Sequence, residues 1–99
     1  MLSIIVPCLN EQDNIKLFYN EINKKINNTK LEIIFIDDGS NDNTWDEILN
    51  LCTTKNNIKG IKLTRNFGKD EAILAALSNL NSLTKYAITL DCDLQYDPS

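Results

Sequence analysis

Histidine is absent from this 99-residue chain, and none of its three cysteines forms a Cys-x-x-Cys pair. Without imidazoles or paired thiols, a zinc site is not expected. Cys8, Cys52 and Cys92 are odd in number and scattered, so they read as reduced, buried or half-buried thiols of a cytosolic protein. Glycine and proline are scarce, with 3 and 2 residues. Neither the G-x-G-x-x-G turn of dinucleotide-binding folds nor the lysine loop of P-loop NTPases occurs, which removes the two commonest functions of a βαβ chain. Positive charge is in deficit: 10 basic residues against 14 acidic give a net charge of −4. That argues against a nucleic-acid partner, which usually needs a basic face. It leaves phosphate ligands open, because a bound cation can supply the positive charge locally. No apolar run approaches the roughly 18 residues of a membrane span. Met1 runs directly into an apolar segment with no basic stretch before it, so no signal peptide is read and the expected compartment is the cytoplasm.

The chain is otherwise ordinary for a globular protein. Its apolar fraction of 42% does not indicate disorder, and its length allows one domain at most. Four apolar, β-branched runs read as strands: residues 2–7, 31–36, 58–63 and 86–90. Near-continuous runs of this kind suit parallel strands buried on both faces. The third run, Ile58-Lys59-Gly60-Ile61-Lys62-Leu63, is the most polar and is expected near an edge. Between the strands, Ile15, Leu17, Phe18, Ile22 and Ile26 recur at near-helical spacing. Trp45, Ile48, Leu49 and Cys52 mark a second helix, with Ser40, Asn41 and Asp42 as candidate caps. Ala72, Ile73, Ala75, Ala76, Leu77 and Leu80 mark a third, whose alanines suit close packing on a sheet. The expected fold class is α/β, Rossmann-like, with a mostly parallel sheet of four strands and three helices joined by right-handed crossovers.

In such sheets ligands bind beyond the carboxyl ends of the strands, where the strand order reverses. The corresponding loops are residues 7–13, 37–43, 64–70 and 91 onward, and every conspicuous polar cluster of the chain falls in one of them. The fourth loop carries the sharpest signal. Asp91 and Asp93 follow an apolar run one residue apart, and Gln95 comes at the next alternate position. Along an extended segment alternate side chains point the same way, so these oxygens can share one hard cation, Mg²⁺ or Mn²⁺. The plain alternative is that the acids solvate a loop or cap a turn at Asp97-Pro98. Asp37-Asp38-Gly39-Ser40 offers a carboxylate for a base or ribose, or an Asp-Gly turn into a helix cap. Asn10 is expected to cap the first helix, with Glu11 open to a nucleoside. One of Arg65 and Lys69 is a candidate for phosphate contact, with Gly68 permitting a sharp turn beside it.

Taken together, Ile4-Ile5-Val6-Pro7-Cys8-Leu9-Asn10-Glu11, Ile36-Asp37-Asp38-Gly39-Ser40, Thr64-Arg65-Asn66-Phe67-Gly68-Lys69 and Leu90-Asp91-Cys92-Asp93-Leu94-Gln95 resemble the nucleotide-sugar-binding half of a family 2 glycosyltransferase of the GT-A fold. The subgroup they are most similar to is that of polyprenyl-phosphate glycosyltransferases and dolichol-phosphate mannose synthases. The resemblance covers nearly the whole chain, in order and spacing. It implies that Pro7, Leu9, Glu11, Ile36 and Asp38 surround the nucleotide. It implies that Asp91 and Asp93 carry the catalytic function, that with Gln95 they hold Mg²⁺ or Mn²⁺ against the diphosphate, and that Lys69 assists. Position 9 is often aromatic in this family, and Leu9 can pack against a base but not stack on it as well. The implied reaction is inverting transfer of a sugar from a UDP- or GDP-sugar to a polyprenyl-phosphate or glycan acceptor.

The resemblance further implies that acceptor residues and any membrane or interfacial helices of the subgroup would lie beyond residue 99, the longer form working at the inner face of the membrane. The chain is therefore expected to be the N-terminal portion of such a domain, with an exposed sheet edge after the fourth strand through which it could self-associate. Two rival readings differ in class. A phosphoacceptor receiver domain is also a small parallel α/β sheet with clustered aspartates, but its acid pair follows the first strand, where this chain has Pro7-Cys8-Leu9-Asn10-Glu11. An inactive fragment or non-catalytic nucleotide-binding or assembly module of the same fold would bind without transferring.

Overall fold

The computed structural model describes residues 1–26 and 30–93. Strands β1 (Leu2–Cys8), β2 (Leu31–Asp37), β3 (Ile58–Lys62) and β4 (Tyr86–Thr89) alternate with helices α1 (Ile15–Lys25), α2 (Thr44–Thr54) and α3 (Lys69–Leu77). All pairings are parallel and the sheet order is β3-β2-β1-β4. The expected α/β architecture is therefore present, element for element.

The register divides the core in two. Ile4 pairs with Ile33 and Val6 with Phe35, and these side chains face one side of the sheet. There they meet Ile15, Phe18, Tyr19 and Ile22 of α1 and Ile48 and Leu51 of α2. Phe18 and Phe35 pack edge to face, with centroids 5.8 Å apart, a favoured aromatic geometry. Ile5, Ile34 and Ile36 face the other side, against Ala72 and Ala76 of α3. The alanines lack the bulk to hold α3 away, so the close packing expected of them is realised. Connectivity explains the division of helices. The chain steps from β1 to β2 to β3 in one direction, which puts right-handed crossovers α1 and α2 on one face. The step from β3 back to β4 runs the other way, so α3 falls on the opposite face.

Several expectations are corrected here. The run at residues 86–90 is not a buried strand: all four β4 residues are exposed, Tyr86 at 72%. Among the described residues β4 is an edge strand paired only with β1, while α3 packs over β1 and β2. Leu17 belongs to α1 but points outward and is exposed. Asn10 does not cap α1. It sits at φ 54 and accepts a hydrogen bond from the Asn41 backbone N–H at 2.9 Å. Asp42, among the three candidate caps, accepts from the Thr44 N–H at the start of α2. Burial opposes its charge, but the hydrogen bonds from Thr44 and Gln12 outweigh that and hold its carboxyl below the ordinary value. β3 is the second edge, as its polarity suggests.

A buried acid ties the base of the sheet together. Glu32 on β2 is 4% exposed. Its carboxylate accepts from Ser3 Oγ at 2.7 Å and from the Asn81 N–H at 3.3 Å, and it pairs with Lys59 Nζ at 2.6 Å. Lys59 also donates to the Asn79 carbonyl, and Ser3 Oγ shares a hydrogen bond with Thr84 Oγ1. The segment between α3 and β4 is thus pinned to the strands at the end remote from the ligand loops. Burial alone would raise the Glu32 carboxyl, but the bonds from Lys59, Ser3 and Asn81 lower it below its ordinary 4.5. A carboxyl lowered in the folded state stabilises above its unfolded value, and the contribution is lost as pH falls through the folded value. Glu32→Gln is therefore expected to cost about 2 kcal/mol at neutral pH. The gap in urea midpoint between wild type and variant should close as the solution is acidified below 4.5. A gap independent of pH would refute the assignment.

Candidate functional site

The sheet order reverses at β1, whose neighbours β2 and β4 are reached by chain steps in opposite directions. A cavity of about 240 Å³ opens at the carboxyl ends of these strands. Pro7 and Cys8 line it from the end of β1 and Leu9 from just past it, Asp38 from just past β2, Asn66 and Gly68 from the β3–α3 loop, Lys69 from the start of α3, and Asp91 from beyond β4. All four loops anticipated from the sequence thus contribute to one space.

Pairs of loops are fastened by side chains. The β1–α1 and β2–α2 loops exchange a series of hydrogen bonds: Asn10 N–H to Ser40 Oγ, Glu11 N–H to Thr44 Oγ1, and Asn43 N–H to Gln12 Oε1, each at 2.9 Å. Asp37, 1% exposed, accepts from the Ser40 N–H and shapes the turn after β2, the structural role expected of one aspartate of the pair. Asp38, 5% exposed, reaches the other way. Its two oxygens accept from the backbone N–H groups of Phe67 and Gly68 at 2.8 and 3.1 Å. Gly39, at φ +79, lies so close to the same loop that a Cβ would stand 2.4 Å from both Arg65 C and Asn66 N. Only glycine fits there. Asp38 and Gly39 together clamp the β3–α3 loop over the end of the sheet.

That clamp separates the two basic candidates. Arg65 stacks its guanidinium over Phe67, 4.7 Å from the ring centroid, and is not among the residues lining the cavity. Lys69, the first residue of α3, lines the cavity and places Nζ 3.1 Å from Asp91 Oδ1.

Of the residues anticipated for the site, Pro7, Leu9, Asp38, Lys69 and Asp91 line this cavity. Glu11 is half-buried beside α1, where Oε2 accepts from Asn14 Nδ2 at 2.7 Å. Ile36 is not among the lining residues: its side chain is fully buried with Ile5, Ile34, Ala72 and Ala76. Asp93 is exposed and is not among the lining residues, and the chain bends at Cys92 and Asp93, so simple extended alternation does not hold there. Instead Cys92 is buried in the core beside Cys8, with an exposed carboxylate on each side of it in the chain. Gln95 lies outside the described residues.

Cys8, Asn66 and Gly68 line the cavity but were not assigned a ligand role from sequence, although each sits inside one of the motifs already singled out. Contact with Cys92, then burial and the nearby Glu11 and Asp37, push the Cys8 thiol up, which disfavours its thiolate. Burial also raises Cys52. All three cysteines are free, as expected.

A parallel sheet of order β3-β2-β1-β4 with a crevice at its switch point is a Rossmann-like α/β domain, and it matches the GT-A glycosyltransferases. The chain belongs to glycosyl transferase family 2, whose profile matches residues 3–99. A putative glycosyltransferase of Bacillus subtilis (strain 168), CsbB, is 40% identical over 98 residues, covering 97% of this chain and 29% of that protein. The prophage bactoprenol glucosyl transferase homolog of Escherichia coli (strain K12) is 35% identical, covering 98% of this chain and 31% of its own length. Among solved structures, S. aureus TarS 1–349 in complex with UDP-GlcNAc superposes with a TM-score of 0.78 at 26% identity, covering 93% of this chain and 26% of that one. The chain thus spans about a third or less of each of these proteins. Among the described residues, no helix is long and apolar enough to cross a membrane.

Proposed function

We propose that this domain binds a nucleotide-diphosphate sugar, UDP- or GDP-linked, in the switch-point cavity and presents it for inverting transfer to a polyprenyl-phosphate or glycan acceptor. The convergence of all four loop tips on one cavity, with Asp38 at one side and the Lys69–Asp91 pair at the other, carries this reading. TarS in its UDP-GlcNAc complex supports a nucleotide-sugar donor, and the E. coli bactoprenol glucosyl transferase homolog supports a lipid-phosphate acceptor.

The donor set suits Mg²⁺ or Mn²⁺. Asp91 presents an exposed carboxylate in the cavity, and Asp93 a second one two residues on. Among the described residues no three acidic, cysteine or histidine side chains converge as a closed metal cage. An ion that keeps several waters and leans on substrate phosphates does not require one. In this assignment Asp91, Asp93 and Gln95 hold the ion, which when bound neutralises charge on the departing diphosphate. Leu9 packs on the base, with Pro7 beside it, and Glu11 and Asp38 complete the nucleoside side. Lys69 adds a positive charge for the diphosphate. A lipid phosphate is already anionic and needs no protein base to attack, whereas a hydroxyl acceptor would need one. The exposed outer side of β4, with Leu83, Tyr86 and Ile88, supports self-association of the chain through this edge as a further proposal.

Calorimetric titration with UDP and with GDP, each with and without Mn²⁺, tests the donor site. One nucleotide is expected to bind only with the metal. Asp91→Asn should weaken that binding by about tenfold or more, about 1.4 kcal/mol. Binding of neither nucleotide would overturn the reading and leave an inert module of the same fold. Metal-dependent binding without sugar transfer to an added polyprenyl phosphate would support the binding-module alternative.

A further inference from the structure

We infer that Lys69 is a resident counter-cation: its ammonium holds the Asp91 carboxylate while no divalent ion is bound, and it is released to the donor's diphosphate when the ion takes Asp91. The inference rests on the donor-site reading above and adds an exchange of partners to it.

Lys69 occupies a position that its own helix disfavours. It is the first residue of α3, followed by Asp70 and Glu71 in the first turn. Acids suit that end of a helix, where the unpaired N–H groups concentrate positive charge, and a lysine does not. The sequence thus places a cation where local electrostatics oppose it. The compensation comes from across the cavity, in a carboxylate 22 residues later, just past the end of β4.

The choice of Asp91 as partner is also determined. Asp38 is the other acid lining the cavity, and both its oxygens already accept backbone N–H groups. Asp91 accepts from the Lys69 ammonium and lines the same space, and among the described residues no backbone N–H donates to it. Lys69 is carried to it by the Asp38–Gly39 clamp, which ends one residue before the helix starts.

The pair is built to exchange. Its side chains are 60% and 69% exposed, so water screens the attraction and little is lost on separation. Lysine, a compact charge on a flexible stem, can swing to a phosphate without the fixed fork geometry of arginine. Arg65, in the same loop, is held by the Phe67 ring instead. Asp91 would exchange the Lys69 ammonium for a divalent ion on charge alone, and Lys69 would then be free to contact the donor's diphosphate.

This predicts opposite effects of one substitution on two ligands. Mn²⁺ binding is followed by the electron paramagnetic resonance signal of the free ion, without nucleotide, for wild type, Lys69→Met and Asp91→Asn. Lys69→Met should bind Mn²⁺ about two- to fivefold tighter than wild type, the range an exposed ion pair is worth. At saturating Mn²⁺ the same variant should bind the nucleoside diphosphate several-fold more weakly by calorimetry, and Lys69→Arg should recover part of that loss. Equal or weaker Mn²⁺ binding by Lys69→Met overturns the exchange, even where wild type still shows metal-dependent nucleotide binding and the donor-site reading therefore stands. Wild-type Mn²⁺ affinity in Asp91→Asn overturns the metal assignment itself and the exchange with it. Unfolding midpoints for Lys69→Met, at an exposed position, serve as the control for folding.

Discussion

Gly39→Ala is expected to destabilise the chain by about 2–5 kcal/mol, the sum of a forced left-handed conformation and an overpacked contact. Both terms arise at one atom. The backbone at Gly39 has φ +79, and an added Cβ would lie 2.4 Å from Arg65 C and Asn66 N and 3.0 Å from Arg65 Cα. These are main-chain atoms, so no rotamer change relieves the clash. One of the two loops must withdraw, and with it goes the hydrogen bonding of Phe67 and Gly68 to Asp38. For a domain with a total stability of about 5–15 kcal/mol, that is a large fraction. Urea unfolding followed by circular dichroism checks the magnitude. An unchanged midpoint would show that the two loops do not cross this closely. By contrast Gly68, also at positive φ, has nothing within 4 Å of an added Cβ. Alanine there should incur only the conformational term, about 1–3 kcal/mol.

Asp38→Ala should produce the second large effect, on stability and ligand binding together. It removes the acceptor for two backbone N–H groups at 2.8 and 3.1 Å. Each donor left unsatisfied costs about 1–3 kcal/mol, so the expected loss is about 2–6 kcal/mol unless water enters. Asp38→Asn separates the two roles. The amide keeps one oxygen for the loop, so its unfolding midpoint should fall between those of wild type and the alanine variant. Its nucleotide affinity should fall as far as that of Asp38→Ala if the charge itself contacts the nucleoside. If affinity instead tracks stability across both variants, Asp38 acts only by positioning the loop that carries Lys69. Titration of both variants with the nucleotide that wild type binds decides between these.

Much of this was legible in the chain. The β-branched runs name the strands because such side chains pack well on a pleated surface, whether it is buried or at an edge. The alanines at 72 and 76 name the face of α3 because a helix needs small residues to approach a sheet closely. The four loops were identifiable because parallel connectivity sends alternate chain ends to the same side of the sheet.

Other features depend on neighbours that no local pattern records. Ile36 and Leu9 are both apolar and both adjoin ligand loops, yet one is sealed under α3 and the other is 42% exposed at the cavity. Arg65 and Lys69 are interchangeable as charges in a six-residue loop. The aromatic ring of Phe67 captures one, and the direction of α3 delivers the other. Residues 86–90 have the composition of a central strand and the environment of an edge, because burial follows from what packs over a strand, and α3 lies over β1 and β2.

The amino-acid sequence alone determined the α/β class, the succession of elements, the absence of histidine and glycine-loop chemistry, and the polar clusters that mark the ligand end. Hydrophobic periodicity and residue type are local properties, and they need no partner to be read. Tertiary structure alone decided the strand order, the division of helices between faces, the crossing of loops at Gly39 and the meeting of Lys69 with Asp91. Each of these joins segments distant in the chain, and the reversal of crossover direction after β3 is what brings them together.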